Sequence, residues 1–205
     1  MIRPPSRVEI VERMTSEEFL RLAPDEQKAE LIDGVIIVSP PPLYDHERLQ
    51  IFLLRLISEY VELFNLGEVL GSRSAVVLDE DQTFEPDILF VARDRLDIVQ
   101  QKGVFGPPDL IIEILSASTV AHDRGTKFQV YQQAGVRELW LIDPYGPAGT
   151  EFFQGDGRRF KPVMPQPDGS LTSVALPGFK LNTAWLWPAE KFITVRNALG
   201  QMGLE

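Results

Sequence analysis

In the segment Leu110-Ile111-Ile112-Glu113-Ile114-Leu115 a glutamate is embedded among branched aliphatic side chains. Burying an unpaired carboxylate costs several kcal/mol, so the fold must bring Glu113 a partner or a metal. A second acid stands in a comparable place. In Glu85-Pro86-Asp87-Ile88-Leu89-Phe90-Val91, Asp87 opens an apolar strand directly after a proline. The stretch between the two segments has no strong helical pattern, which predicts that the strands pair antiparallel. The start of the first then lies beside the end of the second, making Asp87 and Glu113 neighbours across the ladder. Asp109 falls at the far end of its strand, about 13 Å from Glu113, too far to share one cation. Asp87 and Glu113 are the predicted metal pair. Hard carboxylate oxygens suit Mg²⁺, or Mn²⁺ in its place.

A positive group near this pair is harder to find. Leu115 stands two residues after Glu113, on the same strand face, where a lysine would serve best. Lys127 lies on the next predicted helix, which should pack back on the sheet. From there it can orient a water or neutralise charge developing on a phosphate.

The rest of the chain supplies a frame for these strands. Thr15, three residues before Glu18, predicts a capped short helix. Asp33-Gly34 between Glu30-Leu31-Ile32 and Val35-Ile36-Ile37-Val38 predicts a hairpin with a type I′ turn. Leu49, Phe52, Leu53, Leu56, Ile57, Tyr60 and Phe64 recur at helical spacing and predict a long helix over about 45–64. Strands are predicted over 69–78, 87–92, 110–115 and 139–142, a helix over 123–134 stopped by Gly135, and a hairpin over 150–153 and 160–163. The tail carries Trp185, Trp187 and a predicted helix after Pro188. Helix, three strands, helix and strand, with β additions at both sides, define an α/β (α+β) single domain over 1–205 with a mixed β-sheet flanked by helices.

Composition narrows the chemistry. The 205 residues contain no Cys and two His, excluding disulfide frameworks, zinc fingers, thiolate clusters, a Cys nucleophile and His-rich metal sites. The formal net charge of −10 argues against coating nucleic acid by bulk electrostatics, but is compatible with a local basic cleft or an acid-rich metal site. MIRPPSRVEIVERM lacks the apolar core of a secretory signal, and no stretch approaches a membrane span, so a soluble cytoplasmic protein is expected.

Taken in order, these segments are similar to those of the Uma-two family within the PD-(D/E)XK phosphodiesterase superfamily, the fold of many restriction endonucleases. The matching residues are Glu30-Leu31-Ile32-Asp33-Gly34, Ser39-Pro40, His46, Pro86-Asp87, Pro108-Asp109-Leu110 with Glu113 and Ser116, then Asp123, Lys127 and Tyr131. Gly135-Val136, Glu138, Trp140 and Asp143-Pro144 complete the set, which spans roughly 29–145. The resemblance implies a restriction-endonuclease-like core with Asp87 and Glu113 as metal ligands. Leu115 departs from the superfamily's usual lysine, and in Uma-two members the basic role is taken to have moved to the helix, here to Lys127. Glu30 stands where the superfamily often draws a further acid, and His46 is a candidate phosphate-binding or proton-relaying group.

Each of these residues has a plain structural counterpart. Asp87 can cap a turn, and Glu113 can sit in a buried ion pair. Lys127 has Asp123 at salt-bridge spacing on an exposed helix face. His46 can be a helix-terminal residue, and Glu30 a strand-edge charge. Asp109 is expected to cap the loop that leads into its strand. Tyr131, Trp140, Trp185 and Trp187 are expected in the core or at an interface, and Arg93, Arg95 and Lys102 in a mixed solvated loop. The expected function is Mg²⁺-dependent endonucleolytic hydrolysis of nucleic acid, with DNA as the substrate and a homodimer by analogy with other nucleases of the fold. Two other classes stay open: a binding or assembly module on the same fold that no longer cuts, and a hydrolase of a small phosphoester.

Overall fold

The computed structural model of the protein describes residues 13–23 and 27–204. Most of the N-terminal segment read above as lacking a secretory signal lies outside the described residues. Helix α1 (Ser16–Leu22) is closed by the predicted capping box, with Thr15 Oγ1 accepting from the Glu18 N–H and the Glu18 carboxylate from the Thr15 N–H. Strands β1 (Ala29–Ile32) and β2 (Val35–Val38) form the predicted hairpin. Asp33 and Gly34 both take positive φ, 50° and 73°, as a type I′ turn requires. Helix α2 (Tyr44–Phe64) buries the stripe from Leu49 to Tyr60 and ends at Asn65 in the left-handed region.

The chain continues through β3 (Gly67–Gly71), β4 (Val76–Asp79), β5 (Gln82–Phe84), β6 (Ile88–Ala92), the short hairpin β7 (Val99–Gln100) and β8 (Gly103–Phe105), and β9 (Leu110–Ile114). Helices α3 (Val120–Asp123) and α4 (Thr126–Ala134) cross to β10 (Glu138–Ile142), which lies parallel to β9. Then come β11 (Glu151–Gly155), β12 (Phe160–Val163), a small ribbon of β13 (Ser170–Thr172) and β14 (Lys180–Asn182), and α5 (Val195–Gln201). The strands assemble into a central mixed sheet, β12-β11-β10-β9-β6-β3, and a second sheet, β2-β1-β5-β4-β8-β7.

Several boundaries differ from the sequence reading. The predicted strand over 69–78 is two strands in different sheets, because the chain turns at Arg73 with φ 82°. The predicted helix over 123–134 breaks at Gly125, where a Cβ would come within 2.6 Å of the Ala121 carbonyl oxygen. The C-terminal helix begins at Val195 rather than near Pro188, capped by Thr194 Oγ1 accepting from the Asn197 N–H. The β13–β14 ribbon carries too few residues per strand to show a periodicity.

The middle strands of the central sheet, β6, β9 and β10, are buried on both faces, and strand parity decides which residue goes where. Ile88, Phe90, Leu110, Ile112 and Ile114 pack with the apolar stripe of α2. Leu89, Val91, Ile111 and Leu115 face the other way, toward α4 and the second sheet, with Tyr131, Val76 and Phe84. Asp87 and Glu113 are odd-numbered like Leu89 and Ile111, so they project from the face that α4 and the second sheet cover.

Candidate active site

Strands β6 and β9 pair antiparallel, with Ile88 opposite Ile112 and Leu89 opposite Ile111. One step further in that register sets Asp87 against Glu113. The predicted neighbourhood is real: Asp87 Oδ2 accepts the N–H of Ile114 at 2.8 Å. Both acids are almost fully buried, at 3% and 2% exposure.

Around them the fold gathers charged groups from four further elements. Glu30 comes from β1, His46 from the first turn of α2, Asp123 from α3 and Lys127 from α4. The Lys127 ammonium lies 2.7 Å from Glu113 Oε1, 2.8 Å from Glu30 Oε1 and 3.1 Å from Asp123 Oδ1. It also lies 5.7 Å above the Phe84 ring. The Lys127–Asp123 pair has the predicted spacing but is buried, not on an exposed face, since α4 packs that side against the sheet. Glu30 Oε1 also accepts the Glu85 N–H, tying β1 to the residue two before Asp87. His46 Nε2 is 3.2 Å from Asp87 Oδ2, while its Nδ1 is buried without a hydrogen-bond partner.

The five residues predicted as a set, Asp87, Glu113, Lys127, Glu30 and His46, come together, and Asp123, expected only as a salt-bridge partner of Lys127, joins them. Three more were missed. Lys28 reaches Asp87 Oδ1 at 2.8 Å. Tyr131, expected as a core residue, is buried but donates its hydroxyl to Glu113 Oε1 at 2.7 Å. Glu85 is buried beside Arg73, whose Nε lies 3.7 Å from its Oε2. A signal was present for two of them: Tyr131 is four residues from Lys127, and Glu85 two from Asp87. Those are same-face spacings on a helix and on extended chain.

The other candidates fall elsewhere. Asp109, fully buried, accepts the Ala92 N–H at 2.8 Å and pairs with Arg95 at 3.0 Å and Arg137 at 3.4 Å, a structural role near the one expected. Arg95 is thus a structural partner rather than only a solvated loop residue. Trp140 and Trp185 are core residues, and Trp187 Nε1 donates to the Asp143 carbonyl at 2.8 Å.

The electrostatics of the two central acids diverge. Burial alone would raise the pKa of Asp87, but Lys28 and His46 outweigh it and hold the carboxyl well below its ordinary range. Burial pushes Glu113 up to about 8 despite Lys127, and the charge on Asp123 adds to the rise. Burial also opposes the charge on Lys127, yet Glu113 and Glu30 outweigh it and keep the ammonium firmly protonated. The Lys127 ammonium and the Tyr131 hydroxyl both approach Glu113 at Oε1.

The cluster's carboxyl groups, Glu30, Asp87, Glu113 and Asp123, outnumber its two lysines, Lys28 and Lys127. No three Asp, Glu or His side chains among the described residues form a ready-made cage. Two carboxylates completed by waters are nevertheless how Mg²⁺ is commonly held.

A mixed sheet with a strand-paired acid couple and a helical lysine defines a nuclease-like fold. Residues 16–184 match the model of the Uma2 family, described as "Putative restriction endonuclease", and the chain belongs to that family. It is similar to a crystal structure of a putative nuclease belonging to DUF820 from Anabaena variabilis, with a TM-score of 0.65 at 19% identity over 92% of this chain and 99% of that one. It also resembles the uncharacterized protein sll1609 of Synechocystis sp., with 26% identity over 134 residues, 64% of this chain and 76% of that protein. Among the described residues no helix is long and apolar enough to cross a membrane.

Proposed function

We propose that the protein is a metal-dependent phosphodiesterase that cuts nucleic acid, with DNA as its substrate. The observation that carries this reading is the placement of Asp87 and Glu113 on facing strands inside one cluster with Lys127, Glu30 and His46. Asp87 and Glu113 would hold Mg²⁺ or Mn²⁺, which when bound supplies Lewis acidity toward the phosphate and a more acidic water. Glu113 must give up its proton to serve as a ligand, so loading is coupled to proton release. Lys127 is held between three carboxylates and would compensate charge that develops on the phosphoryl oxygens. Glu30 helps to fix that lysine through its Oε1. His46, held through Nε2 by Asp87, presents an unpartnered Nδ1 that can accept a proton or donate one to the leaving oxygen. A homodimer would bring one such site to each strand of a duplex.

A non-cutting module on the same fold is the second reading. It is favoured by Leu115, buried in the apolar layer where the superfamily's lysine would stand.

Plasmid cleavage in Mg²⁺, paired with calorimetric metal titration, tests the proposal. Wild-type protein is expected to bind metal and nick the plasmid, and Glu113→Gln to lose both. Metal binding without cleavage would favour the second reading. Duplex binding that does not weaken as salt rises would argue against DNA as the substrate.

A further inference from the structure

Asp87 draws its contacts from unequal sources. The Ile114 N–H is fixed in the sheet ladder, and His46 is anchored in the first turn of α2. Lys28 is different. It precedes β1, its side chain is 21% exposed against 4% for Asp87, and its ammonium lies 2.8 Å from Asp87 Oδ1. The charges of Glu113, Glu30 and Glu85 act on the same ammonium. Lys127, by contrast, is enclosed and tied to three carboxylates. The cluster therefore holds one enclosed cation and one whose side chain is still partly exposed to solvent.

The seat taken by Lys28 is the one a metal would need. A divalent ion on Asp87 Oδ1 would stand within a few ångström of the ammonium. Two positive charges that close, in a poorly solvated site, exclude each other. A lysine stem has four rotatable bonds and a strongly hydrated head, so it swings to water readily.

Resting on the reading of Asp87 and Glu113 as a metal pair, we propose that Lys28 is a built-in stand-in for the metal. Its ammonium holds the cation seat on Asp87 in the metal-free protein, leaves as a divalent cation loads, and so sets how readily the site fills. No bond is made or broken; one cation replaces another.

The test is Mn²⁺ titration by calorimetry on the full chain, comparing wild type with Lys28→Met, Lys28→Arg and Asp87→Asn. Lys28→Met keeps the stem and removes the charge, and is expected to bind Mn²⁺ about tenfold more tightly. Lys28→Arg keeps the charge and should bind no more tightly than wild type. If Lys28→Met binds no better while wild-type binding is lost in Asp87→Asn, the stand-in is overturned and the metal pair stands. If neither wild type nor Lys28→Met binds, both are overturned. A second measurement needs no variant. Acetic anhydride labelling of native wild type, read by mass spectrometry, should modify Lys28 several-fold faster at saturating Mn²⁺. An equal rate with and without Mn²⁺ would overturn the displacement.

Discussion

Strand β9 carries or adjoins a buried acid at each end, and the two ends are solved differently. At the start, Asp109 lies between Arg95 and Arg137 and takes a backbone N–H. Beside it, Glu138 on β10 accepts from Trp140 Nε1 on one oxygen, and from Ser173 Oγ, Val174 N–H and Ala175 N–H on the other. Every charge there is matched or saturated with donors, and the effect is to clamp β10 to the loop after β13. At the other end, around Glu113, acids outnumber fixed cations, and one acid has its pKa pushed up to about 8. Burial is the same at both ends. What separates them is the balance of partners, and a surplus of buried negative charge stays unstable until a proton or a cation arrives.

Within the Glu113 cluster the two central acids respond to pH in opposite ways. Glu113 has a raised folded pKa, so between its ordinary 4.5 and about 8 the folded state holds a proton that the unfolded state has released. That contribution to stability is fully present below pH 4.5 and is lost as pH rises through 8, a loss on the order of a few kcal/mol. Asp87 works the other way, adding stability above its ordinary value of 3.8 that disappears as the solution becomes more acid. Urea unfolding of metal-free protein across this range should show stability declining toward pH 8, with a flatter profile in Glu113→Gln. A decline that persists unchanged in Glu113→Gln would locate the surplus charge elsewhere.

Neutralising one acid at each end sharpens the contrast. Glu138→Gln puts an amide where four donors converge and should cost about 2 kcal/mol. It should leave Mn²⁺ affinity unchanged. Glu113→Gln removes surplus charge, so at pH 8 the metal-free protein should be as stable as wild type or more so, while metal binding disappears. Thermal unfolding with and without Mn²⁺ reads both. Two variants of equal instability would dissolve the distinction between a clamp and a site.

The site was more legible in the sequence than the architecture around it. Strand parity and an antiparallel link were enough to pair Asp87 with Glu113, because an acid inside an apolar run has few places to go. Helical spacing was enough for α2. Division into two sheets was hidden, since it depends on one left-handed turn at Arg73 within what reads as a continuous strand. Lys28 was hidden for another reason. It lies just outside a strand, and nothing in its neighbours shows that its ammonium meets an acid 59 residues away. The burial of Asp123 with Lys127 likewise follows from the packing of α4, which local spacing does not report.

Tyr131 gives the smallest and most discriminating effect. Its hydroxyl donates to Glu113 Oε1, and burial together with the charge on Glu113 holds its own pKa well above the usual range, so it stays a donor at any working pH. Donation to a carboxylate favours the charged form. Tyr131→Phe should therefore cost about 1 kcal/mol of stability and make Glu113 harder to ionise. Because the proposed metal loading requires that ionisation, Mn²⁺ affinity should weaken most at neutral pH and recover toward alkaline pH, moving the midpoint of loading upward. The matching change at the other end of the strand, removal of the Ser173 hydroxyl from Glu138 by Ser173→Ala, should cost a similar amount and leave that midpoint unmoved. A shift of equal size in both variants would mean that the two buried acids respond to lost donors alike, and that charge surplus does not set the Glu113 end apart.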